Sequence, residues 1–203
     1  MESLTAKLVD LNARQIRPVR MTWQSGVIES IEPAADSDAA TFILPGFVDS
    51  HIHIESSMLV PSQFARMAVR HGTVATVSDP HEIANVLGLE GVHFMIDDAA
   101  KVPFKFFFGA PSCVPATRFE TAGAVLGSES IKALLDHQGI HYLAEMMNYP
   151  GVLGGDQEVV AKITAALDRG MLVDGHAPGL RGADAQKYFE AGISTDHECF
   201  TLE

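Results

Sequence analysis

Histidines and carboxylates in short polar clusters are the residues of this sequence most able to do chemistry. His51 and His53 are two positions apart on an extended segment, so their side chains point the same way and can reach one ion. Glu145, His176 and His197 stand at the ends of later apolar runs. Four imidazoles and one carboxylate suit one or two divalent ions. The alternative for the first two histidines is ordinary polar contact.

A second cluster, Asp79-Pro80-His81-Glu82, matches no common metal motif. The helical HExxH pattern fails because Asn85 stands where its second histidine would be. The HxE and PCxxC pattern of the cytidine-type deaminases is also missing. Three roles stay open for the cluster: support of neighbouring ligands, an extra metal site, or substrate contact. A helix cap by Asp79, with Glu82 in the first turn, explains the acidic residues but not the histidine.

Carboxylates also adjoin the later histidines. Asp174 precedes His176 by two positions, and His197 lies between Asp196 and Glu198. Such a carboxylate can accept the second ring N–H of a histidine ligand and fix its tautomer. Adjacent residues often face apart, so the orientation stays open. We interpret the remaining histidines as surface or structural residues: His71, His93, His137 and His141.

Composition narrows the class of protein. The 203 residues are 47% hydrophobic and 20% charged, which predicts a folded chain with a real core. No stretch approaches the roughly 20 apolar residues of a membrane span, and no signal peptide is recognisable, so we expect a cytoplasmic protein without a membrane partner. A net charge of −12 argues against nucleic acid as a partner. Cys113 and Cys199 predict neither a disulfide framework nor a cysteine zinc site.

The elements that would position these residues fall into two regions. Residues 1–44 contain short strand patterns separated by turn-forming residues, which indicates a small β unit. Residues 45–203 repeat an apolar run followed by a helical pattern, at about the 30 residues of a βα unit. The expected strands of this region are 46–49, 73–78, 104–108, 142–146, 171–174 and 192–196. The expected helices are 61–70, 83–100, 128–137, 157–169 and 183–191.

The alternation of strands and helices predicts an α/β fold with a parallel sheet. A barrel and a doubly wound sheet both fit it. The polar residues favour the barrel, because each candidate strand ends in His, Asp or Glu at its carboxyl side. In a barrel those ends converge on one face, whereas in an open sheet only the ends near the switch point meet. We therefore predict an incomplete TIM-type (β/α) barrel with about six of the eight strands.

Several segments together resemble the amidohydrolase superfamily. Residues 44–53, LPGFVDSHIH, look like its opening strand, in which the HxH supplies two metal ligands. Further segments, from about residue 40 to the end, narrow the resemblance to the bacterial adenine deaminases. They are IESSM (54–58), DPHEIANV (79–86), EMMNYPGV (145–152), DGHAPG (174–179) and DHE (196–198).

This resemblance implies the conversion of adenine and water to hypoxanthine and ammonia, with a small purine as the partner. It makes His51, His53, His176 and His197 metal ligands, and Glu145 the carboxylate that bridges a binuclear centre in the complete enzyme. Manganese or iron is the implied metal, with zinc as the alternative. The first region becomes part of a small β-sandwich domain, and the complete enzyme is expected to form a homo-oligomer.

The implied reaction also needs proton transfer, because the ring gains a proton as the amine departs. Our candidates for catalysis are Glu145, His81 and Glu82. Our candidates for substrate contact are Glu55, Ser56 and Met146, with simple packing as the alternative for the methionine.

Chain length sets a further expectation. An eight-stranded barrel typically needs about 250 residues, more than the 203 of this chain. The superfamily takes its proton-shuttling aspartate from the end of strand eight, which we do not expect here. We therefore predict a fragment, a truncated gene product or a split subunit that is not fully active alone. Two alternatives stay open: another amidohydrolase, acting on a cyclic amide or an acylated sugar, and a non-catalytic metal-binding fragment.

Overall fold

The computed structural model describes residues 1–35, 40–117 and 119–200. The chain divides into two compact units, residues 1–46 and residues 47–203, and each has its own sheet. Within the described ranges, no helix is both long enough and apolar enough to cross a membrane.

The first unit is a four-stranded sheet with the order β3-β2-β1-β4. Antiparallel pairing joins the first three strands, and β4 runs parallel to β1. Ser25 and Gly26 join β2 to β3 with φ angles of 52° and 78°. Positive φ at both positions of a two-residue turn gives the twist that a hairpin needs. The strands are β1 (Glu2–Asp10), β2 (Gln15–Gln24), β3 (Val27–Pro33) and β4 (Phe42–Ile43).

The second unit contains a six-stranded parallel sheet whose strands lie side by side in chain order. A doubly wound sheet would reverse its strand order at a switch point, and this sheet does not. The predicted α/β class and the partial barrel are therefore confirmed. The strands are β5 (Phe47–Ile52), β6 (Thr73–Ser78), β7 (Lys105–Ala110), β8 (Ile140–Met146), β9 (Leu172–Gly175) and β10 (Thr195–Asp196).

The helices of the second unit follow the predicted positions with two differences. The single helix predicted over 83–100 is wrong, because Gly88 adopts φ 63° and ψ −139° and divides it into two. A short helix that we did not predict begins after Asn148, whose side chain accepts from the Gly151 N–H. The helices are α1 (Pro61–Ala68), α2 (His81–Leu87), α3 (Leu89–Ala99), α4 (Ser128–Leu135), α5 (Tyr149–Gly154), α6 (Gln157–Leu167) and α7 (Gly182–Glu190).

Helices of the second unit, which together form its helical layer, cap one another. Asp98 of α3 accepts a hydrogen bond from the Ser62 N–H in the first turn of α1, at 2.8 Å. Glu158 of α6 accepts from the Ser128 N–H at the start of α4, at 2.9 Å. The N–H groups at the start of a helix have no partner within the helix, so these carboxylates satisfy them and tie the helices together.

The core of the second unit lies between the sheet and its helices. Its fully buried side chains come from both layers, and they include Phe108, Ile131, Leu134, Leu143, Val173 and Tyr188. Burial of such side chains is the main source of stability for the unit. The helical layer therefore holds the strands firmly, while their carboxyl ends are left free to carry polar groups.

Candidate metal centre

The carboxyl ends of the parallel strands bring the polar clusters of the sequence together. Because parallel strands all end at the same side of the sheet, residues far apart in the chain meet there. Three overlapping groups of side chains have ligand atoms within 4.8 Å of one another. They are His53, Asp79, His81 and Glu145; then Glu145, His176 and His197; then His51, Asp174 and His197.

Glu145, near the end of β8, is the centre of this cluster. Its side chain is only 3% exposed, and its two carboxylate oxygens face different histidines. Oε1 lies 3.5 Å from His53 Nε2 and 3.4 Å from His81 Nδ1. Oε2 lies close to three others: His51 Nε2 at 3.6 Å, His176 Nδ1 at 3.0 Å and His197 Nε2 at 3.1 Å. A carboxylate placed in this way can be shared between two groups of nitrogen ligands.

The backbone fixes the orientation of His53. Its Nδ1 lies 2.9 Å from the backbone carbonyl oxygen of Asp79, which can only accept, so Nδ1 must carry the proton and donate it. In the neutral ring Nε2 then has a free lone pair. That atom points at His51 Nε2, 3.1 Å away. Two ring nitrogens at this distance either share one proton or serve a common cation, so His51 and His53 have the geometry of a ligand pair.

His81, the first residue of α2, also belongs to the cluster. Its Nδ1 donates to Asp79 Oδ2 at 2.8 Å. Burial disfavours the charged ring, but the hydrogen bond to Asp79 and the negative charges of Glu145 and Glu82 outweigh it and raise the pKa of His81 to about 9. Glu82 has one oxygen 3.5 Å from His53 Nδ1. The second polar cluster of the sequence therefore lies beside the first.

Asp174 acts on histidines other than its neighbour in sequence. One of its oxygens lies 3.6 Å from His51 Nδ1 and 3.5 Å from His197 Nδ1, and the other accepts from Thr195 Oγ1 at 2.7 Å. The carboxylate of Asp174 raises the pKa of His51, although partial burial of the ring opposes this. Burial opposes ionisation of Asp174 too, but His51, Thr195 and the charge of His197 hold its pKa below the usual value.

Asp196 and Glu198 take different parts. Asp196 accepts from the backbone N–H groups of Ala177 and Glu198, at 3.1 and 2.8 Å, so it fixes the two segments that carry His176 and His197. Glu198 lies 3.7 Å from His176 Nδ1. Of these two carboxylates, only Glu198 is close to a ring nitrogen.

The three residues assigned to substrate contact occupy different surroundings. Ser56 is exposed on the single turn that follows His53, and its hydroxyl donates to Glu82 Oε1 at 2.7 Å. Glu55 on the same turn accepts from the Ile83 N–H at 3.2 Å, and burial raises its pKa to about 6. Met146 is fully buried in the apolar core, with its sulfur 3.9 Å from the thiol sulfur of Cys113. This position agrees with simple packing, the alternative interpretation of Met146.

The remaining histidines lie apart from the cluster, and three of them make ring contacts of their own. His93 and His137 face each other with ring centroids 5.5 Å apart, and His141 packs edge-on against Phe107. His71 is exposed in the short turn after α1.

Sequence reasoning missed Tyr188, which contacts the cluster through the backbone. Its hydroxyl donates to the Met146 carbonyl at 2.8 Å and accepts from the His176 N–H at 3.1 Å. On a helical pattern this tyrosine has the periodicity of an ordinary core residue, so no local signal marks it.

Unsatisfied buried atoms indicate that a cation fits this cluster. Buried polar atoms in folded proteins nearly always have a hydrogen-bond partner, and each exception calls for an explanation. Within the described ranges, the buried side-chain atoms without one are Tyr142 Oη and five atoms of residues in or beside the cluster: His51 Nδ1, Glu55 Oε2, Asp79 Oδ1, Glu82 Oε2 and Glu145 Oε2. Imidazole nitrogens with carboxylate oxygens are a donor set that suits first-row divalent ions. The residues present therefore fit a metal.

Comparison with known sequences gives a family. The sequence model of the family described as "Amidohydrolase family" matches residues 42–203 of this chain. An adenine deaminase of Salinibacter ruber is 61% identical over 99% of this chain, and one of Sulfurovum sp. is 58% identical over 98% of it. The chain spans 37% of the length of each of these relatives.

Comparison with solved structures gives the same fold. A 5-methylcytosine deaminase from Klebsiella pneumoniae aligns with a TM-score of 0.54 and 14% identity, over 98% of this chain and 59% of that one. An N-acetyl-D-glucosamine-6-phosphate deacetylase from Mycobacterium smegmatis aligns with a TM-score of 0.58 and 15% identity, over 96% and 54%. At such low identity the likeness concerns the fold alone. The family match over residues 42–203, on this fold and around this cluster, shows that the chain belongs to the amidohydrolase family.

Proposed function

We propose that this chain carries the metal site of a deaminase that converts adenine and water to hypoxanthine and ammonia. The observation that carries the proposal is the position of Glu145, whose two carboxylate oxygens face separate groups of histidines at 3.0 to 3.6 Å. Adenine as the substrate is supported by the relatives named adenine deaminase, which match this chain over nearly its whole length.

Amidohydrolases depend on metal, and we propose that this site holds two divalent ions. The ligands would be His51, His53, His176, His197 and Glu145. Manganese or iron is our first choice and zinc the alternative, since this donor set suits several first-row metals. The chemistry that such an ion supplies is to lower the pKa of bound water to near neutrality.

The protein side chains would control protons and orientation. Protonation of the substrate and of the departing amine requires an acid within hydrogen-bond reach. His81 holds a proton between its Nδ1 and Asp79 Oδ2, 3.4 Å from Glu145 Oε1, and Glu82 Oε2 lies 3.5 Å from His53 Nδ1. We assign proton transfer to Glu145, His81 and Glu82 on this proximity.

Substrate contact is assigned to the turn that follows His53. Ser56 is exposed and offers its hydroxyl to a purine, while Glu55 Oε2 is buried beside the cluster without a hydrogen-bond partner, and we assign both residues to substrate contact. Met146 is left out of this proposal because its side chain lies in the core. We further propose that residues 1–44 are part of a β-sandwich domain. The enzyme would be cytoplasmic and would assemble as a homo-oligomer. Its net charge of −12 disfavours nucleic acid as a partner.

A substrate panel tests the proposal. The purified protein, loaded with Mn²⁺, is assayed on adenine, hydantoin, dihydroorotate and an N-acetyl sugar phosphate, beside a His51→Ala/His53→Ala double variant. His71→Ala is the matched control, because His71 is exposed outside the cluster. Adenine turnover that the double variant loses supports the proposal. Turnover of another compound but not of adenine contradicts it. Bound metal without any turnover, even after a separately made part that corresponds to the remaining length of the relatives is added, favours a non-catalytic metal-binding fragment.

A further inference from the structure

The end of β8 extends beyond its neighbour β7. The last pair in that ladder is Ala110 with Leu143, so the Glu145 carbonyl lies past the end of β7. Ser112, which is 1% exposed, fills this position: its hydroxyl donates to the Glu145 carbonyl oxygen. Lys162 of α6 holds the backbone of Ser112 in turn, since its ammonium group donates to the Ser112 carbonyl at 2.8 Å. A side chain thus replaces a missing ladder bond.

The other side of β8 is closed by Tyr188 of α7. The last pair between β8 and β9 is Met146 with Gly175. In a parallel ladder the next amide, that of His176, would bond the Met146 carbonyl directly. The hydroxyl of Tyr188 stands between these two groups instead, accepting from the amide at 3.1 Å and donating to the carbonyl at 2.8 Å. The tyrosine therefore sets the spacing of the two strands.

Gly175 makes room for this bridge. A Cβ on Gly175 would lie 3.0 Å from the Tyr188 hydroxyl oxygen and 2.6 Å from the Thr195 carbonyl oxygen. The 2.6 Å distance is shorter than non-bonded carbon and oxygen atoms tolerate, and the 3.0 Å distance is tighter than most such contacts. The close approach of β9, β10 and Tyr188 is thus possible only where the chain has no side chain.

We infer that Tyr188 and Ser112 are positioning residues of the metal centre. Both hydroxyls hold the backbone from which Glu145 and His176 reach each other, with Glu145 Oε2 3.0 Å from His176 Nδ1. Tyr188 bonds both strands, so it governs the separation of these two side chains, whereas Ser112 fixes Glu145 alone. The inference rests on the proposed function only in taking Glu145 and His176 as metal ligands.

Tyr188→Phe tests the inference, because it removes one oxygen from a fully buried ring and keeps the packing. We expect the affinity for Mn²⁺, measured by equilibrium titration of the metal-free protein, to fall about 10- to 100-fold. Ser112→Ala should lower it less, and it serves as the second variant if Tyr188→Phe fails to fold. Tyr149→Phe removes the same atom from a half-buried tyrosine on α5, and its affinity should stay unchanged.

Ile131→Val is the control for stability, because Ile131 is fully buried on α4, outside the cluster. If it lowers the affinity as much as Tyr188→Phe does, or if neither hydroxyl deletion changes the affinity, the inference is overturned. The readout does not depend on adenine. A wild-type protein that binds Mn²⁺ but does not deaminate adenine, even after a separately made part that corresponds to the remaining length of the relatives is added, contradicts the proposed function alone. An active protein whose Tyr188→Phe variant keeps full affinity contradicts this inference alone.

Discussion

Two buried carboxylates of the second unit, Asp98 in the helical layer and Glu145 at the strand ends, have nearly the same exposure and opposite surroundings. Asp98 is 5% exposed and Glu145 is 3% exposed. Asp98 accepts from the Ser62 N–H at 2.8 Å and pairs with the Lys101 ammonium at 2.7 Å. Glu145 has five imidazoles around it, and its Oε2 accepts no hydrogen bond.

This difference separates a structural carboxylate from a ligand. A buried charge is stable only if it is paired or coordinates a metal. Asp98 is already paired, so its place in the fold needs nothing further. Glu145 is surrounded by histidines that compete for protons. These side chains stay close together because the helices, whose own polar groups are paired, hold the strands in position. Four substitutions measure how far the two regions differ.

The largest effect is expected for Glu145→Gln. Loss of the charge between the histidines should reduce the affinity for Mn²⁺ by at least about 100-fold, since even residues that only support a ligand cost 10- to 100-fold. Titration of the metal-free protein measures it. Glu129→Gln, on the exposed side chain of a glutamate in α4, is the control. Unchanged affinity in Glu145→Gln would remove Glu145 from the ligand set.

Lys162→Met should have the largest effect on stability. Its ammonium group donates to the carbonyls of Ser112 and Leu126, at 2.8 Å each, and the methionine would leave both without a donor. Two unsatisfied buried carbonyls cost about 3 kcal/mol in the free energy of unfolding. Chemical denaturation measures this loss. Lys132→Met, on a partly exposed lysine of α4 that pairs with Glu129, should change far less, and an equal loss in both would contradict the role of Lys162.

Gly88→Ala should cause the next largest loss of stability. The backbone at Gly88 has φ 63° and ψ −139°, and an added Cβ would lie 3.1 Å from the Ala124 Cβ. Backbone strain of this kind costs about 2 kcal/mol. The thermal midpoint should fall accordingly. Gly154→Ala is the matched control, because a Cβ there meets nothing within 4 Å. If both variants unfold at the same temperature, the break between α2 and α3 does not need its glycine.

The smallest effect, about 1 kcal/mol, is expected for Asp98→Asn, which weakens one charge-assisted hydrogen bond and one ion pair. Burial opposes ionisation, but Lys101 and the Ser62 N–H hold the pKa of Asp98 below its ordinary value of 3.8. Asp98 therefore stabilises the fold fully above its unfolded-state pKa, and this contribution disappears as the pH falls through the folded-state pKa.

Unfolding by denaturant at neutral pH and near pH 3 checks the sign, since the difference between wild type and Asp98→Asn should shrink in acid. Asp136→Asn serves as the control, because Asp136 pairs with Arg169 on the surface and should matter less at either pH. A difference that grows in acid would contradict the assignment.

Much of the fold and the outline of the site follow from the sequence. The alternation of strands and helices predicted the parallel sheet, and the polar residues at the strand ends predicted the barrel, in which the ends that carry His51 and Glu145 converge. The break at Gly88 was missed, since a lone glycine within a helical pattern does not reveal its φ. The contacts of Asp174 were missed as well, because its orientation depends on how β9 and β10 pair.

Gly175 has a consequence for how this protein can change over generations. Every coding change at a glycine codon introduces a Cβ, and here that atom would collide with the Thr195 carbonyl at 2.6 Å. This position therefore has no neighbouring codon for another amino acid that keeps the packing unchanged. We therefore expect amino-acid substitutions at Gly175 to be eliminated by selection, although its own atoms take no part in the chemistry.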